Sequence, residues 1–304
     1  MKLTNPEVRI ENTNLCNSSC IMCPRDKLTR AQGIMEWPLF KKIVDNAVSC
    51  GVKHIFLGGF GEPLLDPYFI ERIKYIKDRG LSVNTITNAS LLNSQMSDNI
   101  ITSGLDGLRI SFYGLTSDVY ELVHRGLSFN VTLANVQKLI EQKKLRHLPH
   151  PEISLSFLVL DENAHQAAAF ENFWITADFV EIWRPHNYID GRVYRAQAVK
   201  PKSCGRPWCG PLQVQWDGVV VPCCFDYNGY LVLGNLRDQS IEEVMHSSLY
   251  EELRQGHKKT NFDKFPYCGV CDQLNRQQNA FIFSNDPRRA PGRSNSNFFD
   301  FAQE

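Results

Sequence analysis

The chain has no surplus of either charge, with 33 Lys and Arg against 33 Asp and Glu. That balance offers no electrostatic footprint for a nucleic-acid backbone, so a polyanion is not an expected partner. Long apolar runs are missing too. None approaches the ~18 residues of a spanning helix, which argues against a membrane association. The amino terminus, Met1-Lys2-Leu3-Thr4-Asn5-Pro6-Glu7, has no apolar stretch behind its charge and does not read as a secretory signal. The expected compartment is therefore the cytoplasm. There, ten cysteines read as metal ligands or redox groups rather than disulfides. With 304 residues, 43% of them hydrophobic, the chain can bury one large core and a small second one.

Within residues 1–185, short β-rich runs alternate with helical patterns. Strands are predicted at Val8–Asn12, His54–Gly58, Leu81–Thr87, Gly107–Phe112, Ile153–Leu160 and Phe179–Trp183. Helices are predicted at Pro38–Ser49, Pro67–Arg79, Ser94–Ser103, Val131–Lys144 and Ala164–Trp174. Pro38 suits a first helical turn, Gly80 a C-terminal cap, and Ser94 a helix N-cap. Six strands linked by helices form either an open doubly wound sheet or a barrel, and periodicity does not choose between them. Residues 186–203 read as a connector. From 204 to 283 the texture changes and cysteines crowd in. There Leu212–Trp216, Asp217-Gly218 and Val219–Val221 read as a hairpin, and Ile241–Arg254 as one helix. Residues 284–304 are a polar tail ending Phe298-Phe299-Asp300-Phe301, either frayed or docked on the body.

Chemistry enters with Cys16, Cys20 and Cys23. Three thiolates this close can hold three corners of a cubane iron–sulfur cluster, whose full protein ligation takes four cysteines. One iron is then left for a ligand that is not protein. The alternative, zinc, would want a fourth Cys or His at pair spacing. Arg25, Lys27 and Arg30 follow directly, as a solvated loop or as the rim of an active-site mouth. The gaps of three and two residues resemble the signature of radical S-adenosylmethionine (SAM) enzymes. In that family the free iron is chelated by the amino and carboxylate groups of SAM.

Three further stretches strengthen the resemblance, each at a strand end. Leu57-Gly58-Gly59-Phe60-Gly61-Glu62-Pro63 resembles the family's Gly-Gly-Glu motif, which implies SAM contacts through Gly59, Gly61, Glu62 and Pro63. Phe60 interrupts the usual form. Thr87-Asn88-Ala89 resembles Thr-Asn-Gly, with Ala89 in place of glycine, and Ser111 falls where a serine faces the SAM ribose or carboxylate. Met22 would lie near the adenine, or simply pack. The family implies a partial (βα)6 TIM-like barrel, open on one side.

The later cysteines resemble the SPASM/twitch extension of the same superfamily. Cys204, Cys223, Cys268 and Cys271 make one closed set for an auxiliary 4Fe–4S cluster, and no cysteine follows to complete a second. A structural zinc is the alternative. Cys209 could replace Cys204, and Cys224 could replace Cys223. Cys50 reads as a buried small hydrophobe.

The resemblance covers residues 8 to 273 and implies an enzyme with two 4Fe–4S clusters and SAM. Fed by flavodoxin or ferredoxin, it would generate a 5′-deoxyadenosyl radical that abstracts hydrogen from a C–H bond. Twitch dehydrogenases of amino-sugar and cyclitol biosynthesis suggest a small polar substrate, oxidised to a ketone through the auxiliary cluster. An epimerase would instead need a thiol as hydrogen donor, with Cys224 and Cys209 as candidates. Because only 15 residues precede Cys16, a separate peptide-binding domain is not expected, so a peptide maturase is a third reading. Arg184, His186 and Asn187 follow the sixth strand, where an Arg could hold substrate oxygens and a His could move an alcohol proton. Packing of the connector is their plainer role.

Overall fold

Six strands run parallel in unbroken chain order: β1 (Glu7–Ile10), β2 (His54–Leu57), β3 (Ser82–Thr87), β4 (Gly107–Ser111), β5 (Glu152–Leu158) and β6 (Phe179–Trp183). This is a computed structural model that describes residues 4–189, 191–195, 203–274 and 280–288. A doubly wound sheet reverses strand order at a switch point. Here each strand pairs with its predecessor. Right-handed crossovers then place all helices on one face. The sheet curls with that order but does not close, because β1 and β6 each take a different outer neighbour. The result is the expected partial barrel.

Alternation explains the two faces. In β1, β2 and β3, every second residue is buried. Val8, Ile10, Ile55, Leu57, Val83 and Ile110 form one core with Phe40, Ile43, Ile73, Ile100, Val136 and Leu139 of the helices. Those helices are α1 (Trp37–Ser49), α2 (Phe69–Lys77), α3 (Ser94–Thr102), α4 (Ser117–Val123) and α5 (Phe129–Leu145). The alternate residues face the other way and include the polar Arg9, Ser82, Asn84 and Arg109. A site for a polar ligand thus lies on the concave side.

Four expectations need correction. Asn93, not Ser94, caps α3, its side chain accepting from Met96 N at 2.9 Å. The helix α4 was not expected. Its seven residues bury Val119, Tyr120 and Val123. Residues 164–174 form a 3-10 stretch (Ala164–Ala169) and one turn, α6 (Phe170–Phe173), rather than a full helix. The helix over 241–254 splits into α8 (Ile241–Met245) and α9 (Ser248–Lys259). Ser247 breaks it by turning its side chain to the N–H of Tyr250, an N-cap for a fresh helix.

Beyond β6 the chain returns to both edges. Past α7 (Arg206–Cys209), β7 (Leu212–Val214) pairs parallel with β1 and starts the expected hairpin with β8 (Val219–Val221). Gly218 takes φ +91° at its turn, a region that glycine fills without strain. The two-residue β9 (Gly234–Asn235) extends this edge. After α10 (Pro266–Gly269), β10 (Phe281–Ser284) runs antiparallel along β6, at the end of the cysteine-rich segment and the first residue of the expected tail. Its aromatic end lies outside the described residues. Among the described residues no helix is long and apolar enough to cross a membrane.

One buried ion pair braces the strand ends from behind. Asp66 and Arg72, both fully buried, meet at 2.6 Å. Asp66 also accepts from Asn12 Nδ2 at 2.9 Å, and Arg72 donates to Met35 O. Removing one partner of such a pair strands a charge in the interior. Asp66→Asn is expected to cost about 3–5 kcal/mol, measured as a lower midpoint in equilibrium denaturation.

Candidate active site

The first cysteine loop leaves β1 through four polar residues, Glu11, Asn12, Thr13 and Asn14, each no more than 2% exposed. Buried polar groups are mostly hydrogen-bonded, and all four of these side chains make such bonds, although Asn12 Oδ1 has no partner among the described residues. Asn14 accepts from Gly33 N and donates to Ala31 O, both at 2.8 Å, closing the loop. Glu11 gathers three elements. It pairs with Arg30 at 2.6 Å and accepts from Phe60 N at 2.9 Å and Trp216 N at 3.2 Å. Arg30 reaches on to Tyr227 O, and Arg25 donates to Asn14 O and Phe60 O. The two arginines are therefore struts rather than a solvated loop.

Cys16, Cys20 and Cys23 stand on this braced loop. Burial pushes all three thiols up, Cys20 to about 11, and charge on the neighbouring sulfurs adds to the rise at Cys20 and Cys23. Three desolvated thiols side by side suit a cationic iron–sulfur core that draws off their protons. Cys20 Sγ lies 3.0 Å from Ser18 Oγ and 3.3 Å from His124 Nδ1. His124 is 1% exposed, and burial lowers its pKa to about 3, so the ring is neutral.

The glycine stretch follows β2 and packs on the cysteine loop itself. A Cβ at Gly61 would stand 2.5 Å from the carbonyl oxygens of Thr13 and Leu15, and one at Gly59 would lie 2.6 Å from the Glu11 side chain. Glu62 N donates to Leu15 O at 2.7 Å. The Glu62 carboxylate accepts from Leu64 N, Thr87 Oγ1 and Asn88 N at 2.7–3.1 Å. Burial raises its pKa, and those three donors pull the other way. Asn88 continues to Asn17 at 2.9 Å. The Gly-Gly-Glu-like stretch, Thr87-Asn88 and the cysteine loop are thus one hydrogen-bonded unit. Glu62 and Thr87 use their side chains inside it, which leaves backbone groups for SAM. Pro63 is buried and its carbonyl accepts from Asn12. Ala89 takes φ +62°, a conformation that accounts for glycine at that place in the family pattern.

Ser111 Oγ accepts from Tyr113 Oη at 3.1 Å. Met22 packs with Val123 and Leu160 in a small apolar cluster.

The second cysteine set is also brought together. Cys204, Cys223, Cys268 and Cys271 sit in one another's fields: Cys204 and Cys271 raise Cys268, Cys204 raises Cys271, and Cys271 and Cys268 raise Cys223. Burial is the larger cause for each, and Cys271 reaches about 12. The Arg206 guanidinium faces Cys224, Cys223, Cys204 and Cys271 and lies 4.7 Å from the Phe225 ring. Cys224 is exposed, whereas Cys209 is buried with its sulfur 3.2 Å from Gly205 O. Among the described residues no three His, Cys, Asp or Glu side chains gather closely enough for a single metal ion.

Between the sets stands Tyr188, a residue the sequence did not single out. Its phenol is pushed up by burial first, then by the nearby Cys23 and Cys224. Its ring lies about 6 Å from those of Phe60, Phe225 and Tyr227. Its φ of +58° is unusual for a bulky residue and points to a functional constraint. The expected polar residues fare differently. Arg184 is exposed, and its backbone N–H binds Ala280 O. Asn187 is buried and folds the connector through Tyr194 and Arg195. His186 lies against Phe225, and its Nδ1 accepts from Gln273 Nε2 at 3.1 Å. Burial and the nearby Arg206 and Arg195 lower its pKa to about 3. The proton of the neutral ring is then on Nε2, so His186 presents a donor there.

An open parallel barrel with a three-cysteine loop at its strand ends, and a second thiol set beyond it, defines an iron–sulfur protein built around SAM. The chain belongs to the radical SAM superfamily, whose family model matches residues 10–165. Residues 204–272 match the iron–sulfur cluster-binding SPASM domain. The chain is similar to a tungsten-containing aldehyde ferredoxin oxidoreductase cofactor-modifying protein of Pyrococcus furiosus, 25% identical over 86% of this chain and 87% of that one. An AdoMet-dependent heme synthase of Methanosarcina barkeri is 30% identical over 86% and 87%. Among solved structures, BtrN in complex with AdoMet and 2-DOIA shares the fold with a TM-score of 0.63 at 17% identity, covering 92% of this chain and all of that one.

Two outcomes test this site. Two cubanes need about eight irons per chain. Replacing Cys20 or Cys268 with Ala is expected to leave about four, while Cys224→Ala keeps about eight, by iron and sulfide analysis of anoxic protein. Glu11→Gln leaves Arg30 without a counter-charge. It is expected to cost about 3 kcal/mol in denaturation and to slow iron uptake at the first loop while sparing the second set.

Proposed function

We propose that the protein removes a hydrogen atom from a C–H bond of a small polar, sugar- or cyclitol-like substrate and oxidises it by two electrons to a ketone, with an auxiliary 4Fe–4S cluster as electron acceptor. When bound, the first cluster and SAM supply the hydrogen-abstracting radical, and the second cluster supplies the sink for the substrate's electron. Tyr188 carries the proposal. Cys20 and Cys23 of the first loop and Cys224 beside the second set all act on its phenol, so a substrate beside Tyr188 would lie near both thiol sets. A substrate there meets hydrogen abstraction at one end and electron removal at the other.

The chain's own residues support this. Phe60, Tyr188, Phe225 and Tyr227 give that space aromatic walls, which exclude water from a reactive intermediate. His186, holding its proton on Nε2, can hydrogen-bond a carbonyl oxygen as it forms. Arg206 supplies positive charge beside the second set. The two long relatives are a cofactor-modifying protein and a heme synthase by name, which supports a small-molecule substrate.

Epimerisation is the second reading, favoured by one observation: Cys224 is exposed beside the second set, within reach as a hydrogen donor, whereas Cys209 is buried. The two reactions separate cleanly with candidate substrates, SAM and a reductant under anoxia. Oxidation is expected to yield one 5′-deoxyadenosine per product, a product lacking two hydrogens, and turnover within about twofold of wild type in Cys224→Ala. One deuterium taken from heavy water at unchanged hydrogen count, abolished by Cys224→Ala, would replace it with epimerisation.

A further inference from the structure

We propose that His124 donates an Nδ1–H hydrogen bond to the sulfur of Cys20 and thereby sets the reduction potential of the SAM-binding cluster. The direction of the bond follows from the other side of the ring. The backbone N–H of Tyr113 points at His124 Nε2, 3.2 Å away. A backbone N–H can only donate, so Nε2 accepts and the ring proton resides on Nδ1. That proton has one outlet among the described contacts, the Cys20 sulfur at 3.3 Å.

The ring cannot swing away. It lies between Tyr113 and Tyr120, each with ring centroids 4.7 Å from it and planes tilted by 29° and 32°. On both sides the backbone is clipped to the cysteine loop: Ser19 N binds Arg125 O at 2.9 Å and Ile21 N binds Val123 O at 3.0 Å. Ser18 Oγ lies 3.0 Å from both Cys20 Sγ and Arg125 O, so its single proton is shared between two acceptors, whereas the His124 Nδ1–H has one. His124 is thus a positioning residue for one of three otherwise similar ligands. It sits at the end of α4, so the short unexpected helix has a purpose: it aims this imidazole.

A hydrogen bond to a ligating sulfur draws electron density from the metal–sulfur bond and stabilises the reduced, more negative cluster. His124→Phe keeps a flat ring between the tyrosines and removes the donor. His124→Asn places an N–H where Nδ1 was. In redox titrations followed by electron paramagnetic resonance without SAM, the Phe variant is expected to reduce at a more negative potential. A tenfold fall in the reduced-to-oxidised ratio at fixed poise would correspond to about 59 mV for a one-electron couple. The Asn variant is expected near wild type, with iron content unchanged in both. Wild-type protein labelled with nitrogen-15 histidine gives a second readout. The reduced cluster whose signal responds to SAM should show a weak nitrogen-15 coupling before SAM is added. An unshifted potential in a fully loaded Phe variant, or the absence of that coupling, overturns the proposal. Neither measurement requires substrate turnover, so a wrong substrate or reaction in the proposed function leaves this test intact.

Discussion

The carboxylate of Glu11 is the point on which the arrangement turns. A charge sealed in the interior is costly unless it is matched and fully hydrogen-bonded. Arg30 and the backbone N–H groups of Phe60 and Trp216 meet that demand. They come from the cysteine loop, the glycine stretch and the carboxyl-terminal hairpin. The cost of an unmatched charge therefore forces three distant segments to converge on the end of β1. The absence of a side chain at Gly59 and Gly61 lets them come close enough. What resembles a cofactor motif is also the seam along which two loops are joined.

The barrel was readable because its physics is periodic. Period-two burial in β1 to β3 and apolar stripes in α1 and α2 repeat often enough to stand out. Strand order was not readable, since either topology buries the same residues. Only the observed pairing resolves it. The losses are short or local: α4 has seven residues, and the break at Ser247 depends on whether one hydroxyl turns toward Tyr250. A serine inside an otherwise helical pattern carries no outward sign of that choice.

At the site, the thiols were legible because ligand spacing is a property of the chain itself. Their supports were not. His124 follows a helix too small to detect, Tyr188 lies in a connector with no pattern, Glu11 drew no notice inside a predicted strand, and Arg30 read as a solvated loop or a site rim. His186 was singled out by position, but its tautomer could not be read there. Which ring nitrogen holds the proton depends on Gln273, more than eighty residues away in the chain. Spacing announces what a protein can ligate, and long-range contacts decide how each group behaves.

Arg192 has a bearing on the order of events during synthesis. From the connector it reaches back to the carbonyl oxygens of Ile21 and Cys23 and to Asp26, while Gly191 lies against Pro24. With Trp216 and Tyr227, it finishes a loop that left the ribosome almost two hundred residues before. The earliest ligands to emerge thus wait, open to solvent, for the latest pieces of their own enclosure. The first ligand loop is closed by chain that lies far downstream of it.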